Sequence, residues 1–214
     1  MRLFRLAFHA THLFFRPDHL PAVFGLVDTL TTPEVLEAQQ RHLASSVLGS
    51  DAQSRQLRLG AVDVSQLAHL PEGTFGRAFA DFVQARGIDP TVLTDRATTA
   101  DAWYAVHMYE VHDLWHVLLG IDTDPISEVK LQAFSAAQHP FERLAPMTIG
   151  IALLKSAVVN AEFAPSDVFD AVATGYALGS QVQPLVGIDW SARWEQPLAA
   201  LRAELGVTPT ALAA

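Results

Sequence analysis

Residues 100–119 read ADAWYAVHMYEVHDLWHVLL, and this stretch decides the fold class. Apolar side chains lie on almost every face of the helix that it predicts, which is typical of a helix buried on most sides. A polar side chain buried in such a helix needs a partner, because leaving it unpaired costs free energy. We therefore expect a central helix whose histidines and carboxylates have a defined role.

The motif H-D-x-x-H brings three polar side chains together on this predicted helix. At about 100° per residue, His112 and His116 lie one turn apart on one face, and Asp113 lies within about 60° of His116. One ion could therefore contact at least two of the three. Taken alone the motif is a weak signal, because a buried helix can also carry two histidines that only form hydrogen bonds.

A short connection after the motif predicts a helix hairpin. Gly120 suits the end of the first helix, and Asp124 followed by Pro125 predicts the N-cap and first turn of the next one. Glu128 then lies in the first turn of the returning helix. Two imidazoles with one or two carboxylates form a ligand set suited to Zn²⁺ or Fe²⁺ and poorly suited to Ca²⁺. We predict a divalent metal site on this hairpin, with Zn²⁺ preferred and Fe²⁺ as the alternative.

The predicted metal ligands are His112, Asp113, His116 and Glu128. Asp113 is either a fourth ligand or a general base, and Glu128 also belongs to the predicted catalytic set. In the H-E-x-x-H helix of metalloproteases a glutamate is the general base between the ligands. Asp113 occupies that position with a shorter side chain, so protease chemistry does not carry over.

Three neighbouring polar residues have other predicted roles. Tyr109 lies on the same arc as the ligands and could donate a hydrogen bond to one of them, although it could also simply be packed. His107 and Glu110 point away from that arc. We interpret these two as polar residues of the core or of an interface.

The rest of the chain shows helical periodicity and no useful alternation with period two. Thr32 and Pro33 open a predicted helix that Gly49 closes, and Thr74 and Gly87 bound another. Further predicted helices lie at 147–163, 167–180 and 191–205, and residues 51–60 read as a surface loop. These patterns predict an all-α fold, a single-domain multi-helix bundle.

The turn LPEGTFGR, residues 70–77, precedes the helix that Thr74 caps. The first amides of a helix can bind an anion, and Arg77 would add positive charge. We nevertheless interpret the stretch as a tight turn and a helix cap.

Composition excludes several classes of protein. The chain has 214 residues, of which 50% are hydrophobic and 17% charged, and such a chain can form a substantial core. The net charge is -9, and no basic run could neutralise phosphates, so we expect no nucleic acid partner. Cysteine is absent, so a metal must be held by His, Asp or Glu.

Residues 1–16 differ from the rest of the chain. They contain three arginines and several large apolar residues, and the first acid follows at Asp18. Such a segment could lie on a membrane surface, resemble a transit peptide, or pack as a first helix. We predict domain boundaries at 1–16 for this segment, 17–207 for the helical domain and 208–214 for a tail.

Three separated segments carry a resemblance to a known family. The spacing of His112, Asp113, His116 and, after eleven residues, Glu128 resembles the zinc-ligand signature of the ubiquinone (coenzyme Q) biosynthesis family of the fourth Coq protein. LAHLPEGTFGRAFADFVQARGIDP and GIDWSARWEQPLAALRAELGV resemble two further segments of that family, in the same order. One departure occurs in GYALGSQVQPLVG, where Ala177, Ser180 and Gln181 stand in place of expected arginines.

The resemblance implies a function and a set of partners. It implies a metal-dependent oxidative decarboxylase that replaces the ring carboxyl of a polyprenylated benzoate precursor with hydroxyl. It also implies an apolar groove for the prenyl chain, for which IGIALLKSAVVNAEFA is a candidate, and other ubiquinone biosynthesis proteins as partners. We expect a homodimer attached peripherally to the cytoplasmic side of the bacterial inner membrane, or to the matrix side in mitochondria.

Two other functions stay open at this point. The chain could be a non-catalytic prenyl-lipid-binding scaffold in which a structural metal joins two helices. It could also be a metal-dependent phosphohydrolase, which would need a further histidine ligand from His42, His69 or His139. The spacing of His42, His69 and His139 in the sequence does not indicate that any of them is a ligand.

Overall fold

The computed structural model describes residues 1–17, 19–93, 103–159 and 163–208, and within these ranges it contains α-helices and 3-10 helices but no β-strand. The α-helices are α1 Arg2–Phe15, α2 Leu20–Leu30, α3 Pro33–Ala44, α4 Val47–Arg55, α5 Val64–Leu67, α6 Phe75–Arg86, α7 Trp103–Leu119, α8 Pro125–Gln138, α9 Leu144–Val158, α10 Pro165–Gln181 and α11 Leu198–Leu205. Short 3-10 helices span Pro90–Leu93 and Trp190–Arg193. The prediction of an all-α fold is confirmed.

The helices group into two compact units. Unit 1 comprises Met1–His42 and Asp122–Gln181, and therefore contains α1, α2, α8, α9, α10 and all but the last two residues of α3. In this unit α8 packs against α10 and α9, and α1 packs against α2 and α9. The predicted boundaries at 1–16, 17–207 and 208–214 stay a prediction, and residues 209–214 lie outside the described ranges.

Unit 2 comprises Leu43–Ile121 and Val182–Ala214, and contains α4, α5, α6, α7 and α11. Twelve of the residues of α7 are buried, so it is the central helix that the sequence predicts. It packs against α6 and α11. Other large buried side chains of this unit are Phe75, Phe79, Trp190 and Leu201.

Local capping chemistry sets several helix ends as predicted. The Thr74 hydroxyl accepts from the amide of Arg77, and Gly87 ends α6 in the left-handed conformation with φ 63°. The Asp124 carboxylate accepts from the amides of Ile126 and Ser127 and so begins α8. A short polar side chain can accept hydrogen bonds from the free amides of the first turn, and glycine adopts the left-handed conformation without steric cost.

Two predicted helices are divided in the structure. The pattern from Pro33 was expected to continue to Gly49, but α3 ends at Ala44 and Ser46 caps a new helix, α4. That helix continues to Arg55, so the prediction of a loop over 51–60 is wrong for its first half. Similarly, 191–205 is a 3-10 helix followed by α11 rather than one helix.

The turn before α6 supports the interpretation as a cap. The amide of Phe75 donates to the carbonyl of Gln196 at 2.8 Å, and the amide of Gly76 donates to the carbonyl of Trp194 at 2.8 Å. Protein acceptors therefore occupy the amides that an anion would need. The prediction of a tight turn and cap is confirmed.

The described helices include none that is both long enough and apolar enough to cross a membrane.

Candidate metal centre

Three predicted ligands come together on α7. One ligand atom from each of His112, Asp113 and His116 lies within 4.8 Å of the other two. Within the described ranges this is the group of three or more His, Asp or Glu side chains that could hold a metal ion. His116 is buried, whereas His112 and Asp113 are half-buried with 30% and 21% of their side chains exposed.

A backbone contact orients the ring of His116. Its Nδ1 lies 3.0 Å from the carbonyl oxygen of Ile121, just after the end of α7. A carbonyl can only accept, so Nδ1 carries the proton and the neutral ring has its lone pair on Nε2. Metal-binding histidines are commonly held by such a hydrogen bond from the other ring nitrogen. The ring of Phe82 stacks on His116 with 5.7 Å between centroids and fixes its plane.

His112 and Asp113 form a hydrogen-bonded pair. The Nδ1 atom of His112 lies 3.3 Å from Oδ1 of Asp113. Burial alone would raise the pKa of Asp113, but the hydrogen bond from His112 and the charges of His112 and His116 lower it, and the net pKa is below its usual value. Asp113 is therefore a carboxylate at neutral pH, the form that binds a cation or accepts a proton.

The other two predicted site residues are Tyr109 and Glu128. Tyr109 has a buried hydroxyl and lines a small cavity beside Asp113. That cavity is formed by Leu59, Gly60, Phe79, Pro90, Tyr109, Glu110 and Asp113. Glu128 is half-buried in the first turn of α8, in unit 1. Its role as a ligand, and that of Tyr109 as a hydrogen-bond donor to a ligand, stay predictions.

Glu110, which lines the same small cavity as Asp113, belongs to an ion pair that no local sequence pattern predicted. The Glu110 side chain has no exposed surface and accepts from Arg58, with Nε at 2.9 Å from both carboxylate oxygens and Nη2 at 2.6 Å from Oε1. The amide of Leu59 also donates to Glu110, at 3.0 Å. His107 is buried and hydrogen-bonded to backbone groups. The interpretation of His107 and Glu110 as polar core residues is confirmed.

The last turn of α7 is held by a second arginine. Arg202 donates from Nε to the carbonyl of Leu118 at 2.7 Å and from Nη2 to that of Val117 at 3.0 Å. These carbonyls lie in the last turn of the helix and have no partner within it. Arg58, Phe82 and Arg202 lie far from the motif in the chain, so no local pattern identified their contacts.

The donor set fits a divalent cation. Two imidazole nitrogens and one carboxylate oxygen suit Zn²⁺ or Fe²⁺, and the hydrogen bond at Nδ1 of His116 leaves its Nε2 in the form that binds metal. A protein with this site keeps coordination positions for a further ligand, water or substrate.

The fold and the site together define an all-α protein with a candidate divalent-metal centre built on one helix. Residues 3–211 match the family model of the coenzyme Q (ubiquinone) biosynthesis protein Coq4. This chain belongs to the Coq4 family, which confirms the resemblance and supports a role in ubiquinone biosynthesis.

Relatives and a solved structure agree with this membership. The chain is 27% identical to the mitochondrial ubiquinone biosynthesis protein COQ4 homolog of Bos taurus, over 96% of this chain and 86% of that protein. The Rattus norvegicus homolog is 32% identical over 72% of this chain, and the match spans 58% of the rat protein. A crystal structure of a Nostoc punctiforme protein superposes with a TM-score of 0.78 at 22% identity, over 94% of this chain and 96% of that one, so the two share a fold.

Proposed function

We propose that this protein is the metal-dependent oxidative decarboxylase of a polyprenylated benzoate precursor in ubiquinone biosynthesis. The observation that carries the proposal is the His112, Asp113 and His116 group on the central helix of a Coq4 family member. The reaction removes the ring carboxyl as CO₂ and adds one oxygen to the ring. With O₂ as oxidant, the second oxygen atom leaves as water, which takes two electrons and two protons from a reductant.

Each site residue has a proposed task. His112, His116 and Glu128 hold the ion, and Asp113 is either the fourth ligand or the base that accepts a proton. A divalent ion held there would act as a Lewis acid toward the ring phenolate or carboxylate, and Fe²⁺ would also permit chemistry with O₂. The lowered pKa of Asp113 keeps it ionised near neutral pH, which is the form that binds a cation. It also makes Asp113 a weak base, so its role as proton acceptor would require that the ion first lower the pKa of the substrate phenol. Tyr109 lines the cavity next to Asp113 and could orient it.

The substrate sets the proposed location. A polyprenylated ring is held in a membrane, so we propose peripheral attachment on the cytoplasmic side of the inner membrane in a bacterium, or on the matrix side in mitochondria. Other ubiquinone biosynthesis proteins and a second copy of this chain are the proposed partners. Three exposed apolar residues at the end of α9 are candidates for contact with the prenyl chain: Leu154, Val158 and Val159. Other apolar residues of α9 belong to the core, because Ile149, Ala152 and Leu153 pack against Val129, Val168 and Ala171.

The test is a direct assay of the reaction. Purified protein loaded with Zn²⁺ or Fe²⁺ is incubated with a short-chain prenylated 4-hydroxybenzoate-type acid and ascorbate, with and without O₂, and the products are analysed by mass spectrometry. We expect loss of CO₂ with gain of one oxygen, and ¹⁸O₂ should label the new hydroxyl. Glu128→Ala should abolish turnover in a folded protein, whereas Glu37→Ala, which removes an exposed carboxylate on α3, should not.

The alternative function makes a different prediction. A scaffold would bind the ion and the prenyl lipid without converting the substrate. Absence of product with either ion, in protein shown to bind both ion and lipid, would overturn the decarboxylase and favour the scaffold.

A further inference from the structure

Helix α1 carries apolar side chains on two opposite faces. On one face Leu13 is buried and Leu6 is half-buried, and both belong to a core cluster of unit 1 with Ala22 and Leu26 of α2. Arg2 lies on this side and donates from Nε to the carbonyl of Thr29 at 3.0 Å. This face accounts for the packing of α1 against its neighbours.

The opposite face exposes three phenylalanines. At about 100° per residue, Phe4, Phe8 and Phe15 lie within an arc of about 40° on the side away from Leu13. Their exposed fractions are 86%, 58% and 73%. We call these three residues the phenylalanine stripe. Leu3 is also exposed, at 80%, but lies about 100° from the nearest residue of the stripe.

The charge around the stripe is positive. Arg5 and Arg16 are exposed, and residues 1–17 contain no Asp or Glu, although the whole chain has a net charge of -9. A helix with Phe and Leu on one face and arginines beside it suits the boundary between the head groups and acyl chains of a membrane with anionic lipids. Arginine near such a surface gains electrostatic attraction.

Another exposed apolar surface in unit 1 lacks these charges. Phe169 and Tyr176 on α10 are 61% and 54% exposed. The helix that carries them contains Asp167 and Asp170 but neither Lys nor Arg. An anionic surface would repel these aspartates, so α10 is not suited to the same ligand.

We propose that the phenylalanine stripe of α1 inserts at the surface of an anionic membrane, with Arg5 and Arg16 contacting lipid phosphates. The proposal rests on the membrane attachment included in the proposed function and assigns that attachment to one helix face. Attachment through α1 would bring the protein to the surface that holds the ring substrate. Substitutions in α1 test this attachment without changing any side chain of α7.

The test is co-sedimentation of the full-length protein with phosphatidylcholine vesicles, with and without phosphatidylglycerol. We expect binding to vesicles that contain phosphatidylglycerol. Phe4→Ser with Phe8→Ser should weaken it by about tenfold or more, and Arg5→Gln with Arg16→Gln should weaken it by about fivefold per arginine. The matched controls are Phe169→Ser with Tyr176→Ser on α10, and Arg41→Gln on α3, and both should bind as the parent chain does.

Three outcomes would overturn the proposal. Equal binding by the α1 variants and the parent would show attachment through another surface. Absence of binding by the parent would remove membrane attachment altogether. A parent dimer that becomes a monomer in Phe4→Ser/Phe8→Ser, measured by light scattering, would show that the stripe joins two copies. Turnover of a short-chain substrate in detergent is measured in parallel, so loss of binding is distinguishable from loss of the proposed reaction.

Discussion

The buried imidazole of His107 forms hydrogen bonds that require the neutral ring. Its Nδ1 lies 3.2 Å from the carbonyl of Leu57, so this nitrogen donates, and Nε2 accepts from the amide of Gly187 at 3.3 Å. Protonation would place a second proton on Nε2, opposite the Gly187 amide. Burial lowers the pKa of His107 from 6.5 to about 4, and the hydrogen bond to Leu57 and the charge of Glu110 offset only part of that shift.

This lowered pKa predicts a loss of stability in acid. In the unfolded chain His107 binds a proton below about pH 6.5, whereas in the folded protein it does so only near pH 4. The free energy of unfolding therefore falls as the pH falls from 6.5 to about 4. The slope from this one group is at most about 1.4 kcal/mol per pH unit. Urea unfolding of the parent and of His107→Gln at about pH 7 and about pH 5 measures it. His107→Gln should lose less stability than the parent between about pH 7 and about pH 5. An equal loss in both proteins would show that His107 does not cause the acid sensitivity.

The ion pair between Arg58 and Glu110 predicts a second effect of single residues. Glu110→Leu removes the carboxylate that pairs with Arg58, whose side chain is only 25% exposed. The loss of this partner should lower the free energy of unfolding by about 3 kcal/mol. Arg58→Met together with Glu110→Leu removes both charges and should restore part of the loss. Chemical denaturation measures all three proteins. As a control, Glu37→Ala breaks the exposed pair with Arg41 and should cost less than about 1 kcal/mol.

At the residue scale, local spacing predicted the grouping of His112, Asp113 and His116 because helical period alone decides which side chains share a face. Spacing could not predict that Glu110 pairs with Arg58, since the two residues are 52 positions apart. It also gave no sign that Ile121 would orient His116, because that contact uses a backbone carbonyl. The grouping of these candidate ligands was predictable, whereas the residues that position their side chains were not.

At the scale of helices, two glycines set the close approach of α10 to α8. A Cβ atom on Gly175 would lie 2.0 Å from the carbonyl oxygen of Lys130, and one on Gly179 would lie 2.6 Å from that of Phe134. The carbonyl of Gly179 also accepts from Gln138 at 2.8 Å. Neither backbone carbonyl can move without shifting α8, so these positions exclude any side chain.

The close approach predicts opposite effects of the same substitution at two sites. Gly175→Ala should lower the free energy of unfolding by about 2 kcal/mol, because the methyl group forces the helices apart. Gly150→Ala on α9 meets no atom within 4 Å and should raise it by about 0.5–1 kcal/mol, because alanine favours the helix. Thermal and urea unfolding of both variants measure the difference. Equal effects would show that α8 and α10 tolerate a wider separation.

Helix ends were predictable where one strong cap acts alone, as at Thr74 and Asp124. They were not predictable where a continuous helical pattern contains a competing cap. Ser46 has an extended backbone and its hydroxyl accepts from the amide of Gly49, so a new helix begins inside a segment that reads as one. Gly49 therefore lies in the first turn of α4 rather than after the end of α3.

At the scale of the whole molecule, the all-α class followed from composition and period, because no segment alternates with period two and apolar residues recur at helical spacing. The division into two units could not be predicted. Each unit combines segments far apart in the chain, residues 1–42 with 122–181 and residues 43–121 with 182–214. Such long-range grouping depends on tertiary packing, which periodicity does not encode.

The candidate metal site predicts that a bound divalent ion would raise the stability of the whole molecule. An ion that binds the folded form and not the unfolded one, at 100 times its dissociation constant, adds about 2.7 kcal/mol to the free energy of unfolding. For a chain of this size the melting temperature should rise by about 5–10 °C. A chelator should reverse this rise in melting temperature. The rise should be absent in the double variant His112→Ala/His116→Ala.

The same titration tests whether Glu128 is a ligand. Loss of a ligand should weaken binding of Zn²⁺ by at least about tenfold, so Glu128→Ala should lose about 1.4 kcal/mol of the stabilisation at a fixed ion concentration. The control is His42→Ala, which removes an imidazole of unit 1 outside the candidate site and should keep the full response. An unchanged response in Glu128→Ala would restrict the site to His112, Asp113 and His116. Because a scaffold with a structural ion would respond to the ion in the same way, these measurements test the site independently of the reaction proposed for it.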